Sequence, residues 1–235
     1  MNEPSLLPTP PALLGLSSMA VRPLLTELAA RLGSTPGLPV RFEAAGGVET
    51  ARRIRAGARA DVAVLGADAL AALHREGHLA AAPLPLWDSE TVAAVPDTTA
   101  ARPLTTPEDL YDLLLSARTV AHSTGPSGTA LLALLDRLGL TGRLTLRQAP
   151  PGVPVAALLR DGTADLAFQQ RSELTGHPGI HLLGPLPGPT AITTTFSAAV
   201  LATSPHPTEA HHLLRLLAAD EASPRTHGLS PHRPR

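Results

Sequence analysis

The sequence predicts an α/β protein of two lobes with a site between them, and three observations carry that expectation. From residue 12 to residue 68, short apolar runs alternate with small-residue turns and amphipathic segments, the pattern of βα units on a parallel sheet. The same pattern returns over residues 103–170. Two β-rich stretches, LWDSETVAAV (86–95) and ITTTFSAAVLAT (192–203), flank the second half and suit strands that cross between lobes. A chain of 235 residues also exceeds the usual single-core domain. Two crossings imply a hinged molecule with a cleft.

In chain order, residues 1–11 are Pro-rich and read as a loose arm. Residues 12–16 form the first strand, and Ser17 or Ser18 caps a helix whose Val21, Leu24, Leu25, Leu28 and Leu32 recur at helical spacing. A second strand over 40–44 leads through Gly46-Gly47 into a helix ending at Gly57, and a third over 61–65 precedes a helix at 69–74. In the second half, Thr106-Pro107-Glu108-Asp109 is a capping-box pattern ahead of an apolar helix. A strand at 119–122 is followed by the loop STGPSGT and a helix over 130–138. Strands at 144–148, 164–169 and 180–183 follow, with a helix at 153–160. An amphipathic helix over 208–218 and a Pro/His/Arg-rich tail expected to fray close the chain. The expected division is 12–90 plus 196–229 as lobe 1 and 91–195 as lobe 2, with 1–11 and 230–235 as flexible termini.

Composition narrows the function classes. The formal net charge is −1, so no global field points to nucleic acid or an anionic membrane. All 19 basic residues are arginine, which with the many Ala and Pro reads as a GC-rich coding bias. With 0 cysteines, disulfides, thiolate zinc sites and a Cys nucleophile are excluded. His211-His212 point apart on a helix, so no metal site is expected, and no cofactor is implied. Residues 1–14 lack the basic and apolar regions of a secretory signal, and no window is long enough to span a bilayer. The chain as written is therefore expected to be cytoplasmic; a trimmed leader would make it periplasmic or extracellular.

The turns after strands one and two lie at the carboxyl edge of a parallel sheet, where ligands bind and helix N-termini offer free N–H groups to an anion. The bland alternatives are an N-cap pair at Ser17-Ser18, a chain turn at Gly46-Gly47, an exposed pair at Gln169-Gln170 and a structural strand-end histidine at His122. Asp61 and Asp165 open apolar strands and read as structural. The Arg52-Arg53-Arg55 run reads as a solvated helix face.

The ordered set of motifs resembles a family. It comprises the S-S turn, the GG turn with A-x-x-I-x-x-G, A-D-V-x-V-L, S-G-T ahead of a Leu-rich helix, A-D-L-A-x-Q-Q-x-S-E-L, G-P-L-P-G and F-S-A-A-V. This order is similar to molybdate-type substrate-binding proteins, class II periplasmic-binding-protein folds with two Rossmann-like lobes and two hinge strands. In that family Ser/Thr hydroxyls and backbone N–H groups hold a tetrahedral oxyanion. The resemblance implies ligand contacts at Ser17, Ser18, Gly46, Gly47, Val48, Thr124, Ser127, Gly128, Thr129, Gln169 and Gln170. The second turn offers backbone where molybdate binders usually have another Ser, with Thr50 one turn further on. The tyrosine often found near the oxyanion has no equivalent here, since Tyr111 falls in a helix.

The Q-Q-x-S-E-L and G-P-L-P-G version also resembles a branch that includes aconitate isomerase. That resemblance implies an acid/base group among His122 and Glu173, with Arg171 as a carboxylate clamp. Three readings stand at this point: a solute-binding protein closing on a small anion, with an ABC-transporter permease as partner if exported; a cofactor-independent isomerase of a small polycarboxylate; and a cytoplasmic ligand sensor.

Overall fold

A computed structural model describes residues 12–34, 38–100 and 102–233. The arm at 1–11 therefore lies outside the described residues. The first lobe begins with β1 (Leu13–Ser18), a 3-10 turn at Met19–Val21, α1 (Arg22–Gly33), β2 (Val40–Ala45), α2 (Gly47–Arg55), β3 (Val62–Gly66) and α3 (Ala67–Arg75). β1 pairs in parallel with β2 and β3, with Ser17 opposite Ala44 on one side and Val64 on the other. The strand β4 (Leu84–Pro96) then leaves this lobe.

The second lobe contains α4 (Pro107–Ser116), β5 (Val120–His122), α5 (Pro126–Arg137), β6 (Leu146–Gln148), α6 (Val155–Arg160), β7 (Leu166–Gln170), α7 (Arg171–Leu174) and β8 (Ile180–Pro185). β9 (Thr193–Val200) returns to the first sheet, and α8 (Pro207–Ala219), α9 (Ser223–Thr226) and β10 (Ser230–Pro231) finish the chain. The strand order is β2-β1-β3-β9-β4-β7-β5-β6, with β8 and β10 also paired to β4.

β4 is common to both sheets. Its Leu84–Glu90 stretch pairs antiparallel with β9, and from Thr91 onward it pairs with β7 and β8. Each lobe sheet is buried on both faces. In the first lobe, Leu24, Leu25, Trp87, Phe196 and Leu213 pack on one face, and Leu16, Ile54, Leu65, Leu70 and Leu73 on the other. In the second, Leu110, Leu114, Leu131, Leu134 and Phe168 oppose Ala121, Val155, Leu159, Ala167 and Leu174. Double-faced burial explains the near-continuous apolar strands VAVLG and LAFQQ.

Local signals account for most boundaries. Thr106 accepts from the Asp109 backbone N–H while the Asp109 carboxylate accepts from the Thr106 N–H, a complete capping box at the start of α4. The Thr105 hydroxyl and N–H also donate to this carboxylate, and they, ahead of the Thr106 N–H, pull the Asp109 pKa down to about 2. Several boundaries shift by one to four residues from the sequence reading. α5 begins at Pro126, four residues before Ala130, because proline at the first helical position is pre-set for the helix and gives up an N–H that needs no partner.

The tail differs as well. Ser230–Pro231 pair with Trp87–Asp88 of β4, and Leu229 is buried in the first-lobe core. His227 meets Glu27 at 2.7 Å and His232 meets Asp88 at 3.0 Å. Composition hides this docking because the partners lie far away in the chain.

Asp61 and Asp165 are structural acceptors. Asp61 takes the Leu14 N–H at 2.9 Å and the Ser204 hydroxyl at 2.7 Å, fastening the start of β1 to the loop after β9. Asp165 accepts from the Arg118 and Thr119 N–H groups. Asp61→Ala leaves the N–H partnerless and is expected to cost about 2 kcal/mol. A urea titration should show a lower midpoint with an unchanged slope.

Candidate functional site

The carboxyl ends of β1, β2, β3, β5 and β7 bring most of the expected residues to the cleft edge. Ser17 is fully buried, and its carbonyl accepts from the Thr50 hydroxyl at 3.3 Å, which ties α2 to β1. Thr50 is therefore engaged with backbone. Ser18 caps the 3-10 turn through the Ala20 N–H at 3.3 Å. Gly46 and Val48 are exposed at the start of α2.

Across the cleft, the Ser127 and Ser123 hydroxyls lie 3.0 Å apart. Gly128 sits so close to the Ser123 carbonyl that a Cβ there would fall 1.9 Å from the oxygen, so only glycine lets α5 start where it does. Thr124 and Thr129 are exposed.

Three helices that begin on this edge, α2, α3 and α5, have Gly46, Gly66 and Gly125 as N-caps and carry no side-chain cap. The first N–H groups of each helix lack intrahelical partners and carry the positive end of the dipole. α3 and α5 face one another directly: the position of a Cβ on Gly66 would lie 3.8 Å from Pro126 Cγ and 3.9 Å from Thr194 Cγ2. Gly66, Ser123, Thr91 and Thr194 are positions that the sequence reading did not select. A strand-terminal Gly before a helix and the Thr run of β9 were the available signals.

Gln169 and Gln170 end β7 and are both buried, not exposed. Gln169 Oε1 accepts the Val155 N–H at 2.9 Å, and the same side chain hydrogen-bonds Glu173. Gln170 Nε2 donates to Thr194 Oγ1 at 2.6 Å, joining the second lobe to the returning strand. Among the described residues three buried polar side-chain atoms have no hydrogen-bond partner: Ser17 Oγ, Thr91 Oγ1 and Gln170 Oε1.

The three residues considered for acid/base chemistry have separate settings. His122 is buried at the end of β5, with Nδ1 3.1 Å from the Ser123 carbonyl. Arg171 pairs with Glu90 at 3.4 Å, so its guanidinium already holds a carboxylate. Glu173 is half-buried, and withdrawal of its carboxyl from water pushes its pKa up to about 7, against the lowering effect of Gln169. The Arg52, Arg53 and Arg55 side chains pair with Glu49, Glu43 and Glu76, as expected for a solvated face. Among the described residues no cluster of three or more His, Cys, Asp or Glu is placed to hold a metal ion.

A raised carboxyl pKa means that the folded state binds a proton which the unfolded chain has lost. The stability that Glu173 contributes is therefore full below about pH 4, the unfolded carboxylate range, and is lost as pH rises through about 7. Unfolding measured from pH 4 to pH 8 should show that decline, on the order of 2 kcal/mol after allowance for partial exposure, and Glu173→Gln should flatten it.

The model of the bacterial extracellular solute-binding proteins matches residues 13–226. A substrate-binding domain of a molybdenum ABC transporter from Clostridium difficile superposes with a TM-score of 0.75 at 15% identity, covering 94% of this chain and 99% of that one. The periplasmic molybdate-binding protein of Azotobacter vinelandii gives 0.74 at 16% identity over 95% of this chain and 100% of its own. A sulfate-binding protein from Mycobacterium tuberculosis gives 0.73 at 17%, covering 95% and 88%. At these identities the likeness establishes the fold, two α/β lobes joined by two hinge strands.

An aconitate isomerase from Pseudomonas is 37% identical over 112 residues, which is 47% of this chain and 43% of that enzyme, so the match spans under half of the relative's length. No described helix is long and apolar enough to cross a membrane. With a family model that spans both lobes and both hinge strands, this chain belongs to the bacterial extracellular solute-binding proteins.

Proposed function

We propose that the chain closes its interlobe cleft around a small anion, held by backbone N–H groups and by Ser/Thr hydroxyls. The carrying observation is the set of uncapped N-termini of α2, α3 and α5 on one edge. α4, by contrast, fills its own N-terminal donors with a capping box. Ser17, Ser18, Gly46, Gly47 and Val48 supply the first-lobe contacts. Ser127, Gly128, Thr124, Thr129, Gln169 and Gln170 supply the second. Closure removes water, which strengthens each of these hydrogen bonds.

The molybdate- and sulfate-binding neighbours support an oxyanion, and the isomerase relative supports a carboxylate. An exported form would deliver its ligand to an ABC-transporter permease.

A second reading has its own observation. Glu173, with a pKa of about 7, exists in both protonation states near neutral pH, as proton transfer within a polycarboxylate requires. In that reading Glu173 moves the proton. His122 and Arg171 must first leave the Ser123 carbonyl and Glu90 to reach a substrate.

Thermal shift with molybdate, tungstate, sulfate, phosphate and cis- and trans-aconitate tests both readings. A bound anion at 100 times its Kd should add about 2.7 kcal/mol, a Tm rise of roughly 5–10 °C for a chain of this size. No shift with any of the six rejects the anion reading. NMR of the aconitate samples should show interconversion only if the isomerase reading holds, and Glu173→Gln should abolish it.

A further inference from the structure

The two lobes share one buried polar row, and its composition bears on what the cleft admits. Thr91 and Gln170 stand directly opposite each other on β4 and β7, at the point where β4 passes from one sheet to the other. Their side chains share a face, with Cβ atoms about 5 Å apart. Thr91 is 0% and Gln170 1% exposed, so neither reaches bulk water.

Two residues earlier in β4 the same face carries Ser89, whose hydroxyl lies 3.3 Å from that of Ser172. The row opens at half-buried Thr194, beside the N-termini of α3 and α5. Every side-chain oxygen in Ser89, Ser172 and Thr194 has a partner in this row, whereas Thr91 Oγ1 and Gln170 Oε1 have none.

The chemistry of the two orphans is complementary. Gln170 Oε1 is an acceptor that lacks a donor; Thr91 Oγ1 carries a proton that lacks an acceptor. An ionised oxygen would satisfy Thr91 but would be forced against the amide oxygen. A hydroxyl donates to the one and accepts from the other. The flanking charges, Glu90 and Arg171, are paired with each other at 3.4 Å and leave no net cation to draw an ionised group inward.

We propose that Thr91 and Gln170 form a hydroxyl subsite at the floor of the cleft, so that the preferred ligand is an anion that also carries an O–H. A monoprotonated inorganic oxyanion and a hydroxycarboxylate both have this chemistry. The inference rests on the anion reading above and adds Thr91 as a specificity residue.

Two matched pairs test it by calorimetric titration at pH 8: phosphate against sulfate, and malate against succinate. The hydroxyl-bearing member of at least one pair should bind ten times more tightly or better, and the pair that does so identifies the source. Thr91→Val keeps the side-chain shape and should cut that preference to below twofold. Because it removes a hydroxyl with no partner, it should also leave the Tm of the ligand-free protein equal or higher. A lower Tm would mean that the hydroxyl is structural and would overturn the proposal. Equal affinities within both pairs, or a preference that survives both Thr91→Val and Gln170→Leu, overturn the subsite while leaving the anion reading in place. Absence of binding by all four ligands overturns the anion reading and the subsite with it.

Discussion

The rest of the molecule depends on the pairing of β4. Much of this strand is buried, and buried backbone N–H and C=O groups must be matched. The matching is divided: β9 and β10 serve the half before Thr91, and β7 and β8 serve the half after it. One strand therefore belongs to two sheets, and β9 brings the chain back beside it. Any motion of one lobe against the other must bend these strands where the partners change. The side chains of Thr91, Gln170 and Thr194 meet at that point, where the Gln170 amide donates to the Thr194 hydroxyl.

The cleft follows from the same arrangement. With β1, β3, β5 and β7 running so that their carboxyl ends face it, the helices after them present N-termini to one space. Glycine N-caps at α2, α3 and α5 bring no capping side chain of their own, although the Ser123 hydroxyl accepts the Gly125 N–H at 3.3 Å, and the glycines also allow close backbone approach. The arginines are tied up elsewhere. Those of α2 pair with Glu49, Glu43 and Glu76, and Arg171 pairs with Glu90. Helix N-termini and neutral donors of this kind are the groups on which the proposed anion site rests.

Glu173 is the group on which the two proposed readings differ. Its neighbour Gln169 is anchored on the α6 backbone and steadies the carboxyl, while loss of hydration raises its proton affinity. The fold accommodates both readings, because function on such scaffolds lives in the few side chains at the cleft.

Much of this was legible in the chain itself. Apolar periodicity and small-residue turns place the strands and helices, since those elements are built from local spacing and local hydrogen bonds. The capping box at Thr106–Asp109, the structural character of Asp61 and Asp165, and the solvated arginine face of α2 follow from the same local chemistry. Ser17, Gly46, Ser127 and Gln170 could be placed at one edge because strand direction and turn position suffice for that. Tertiary structure decided what those residues touch. Pairing partners drawn from across the chain buried Gln169 and Gln170, docked the Pro/His/Arg-rich tail on β4, turned Arg171 toward Glu90 and set Thr91 opposite Gln170. The sequence by itself determined the two-lobe α/β scaffold and the sheet edge at which the candidate residues gather. Which polar atoms there remain free was left to long-range strand pairing, because a register that sets residues 79 positions apart opposite each other leaves no trace in local spacing.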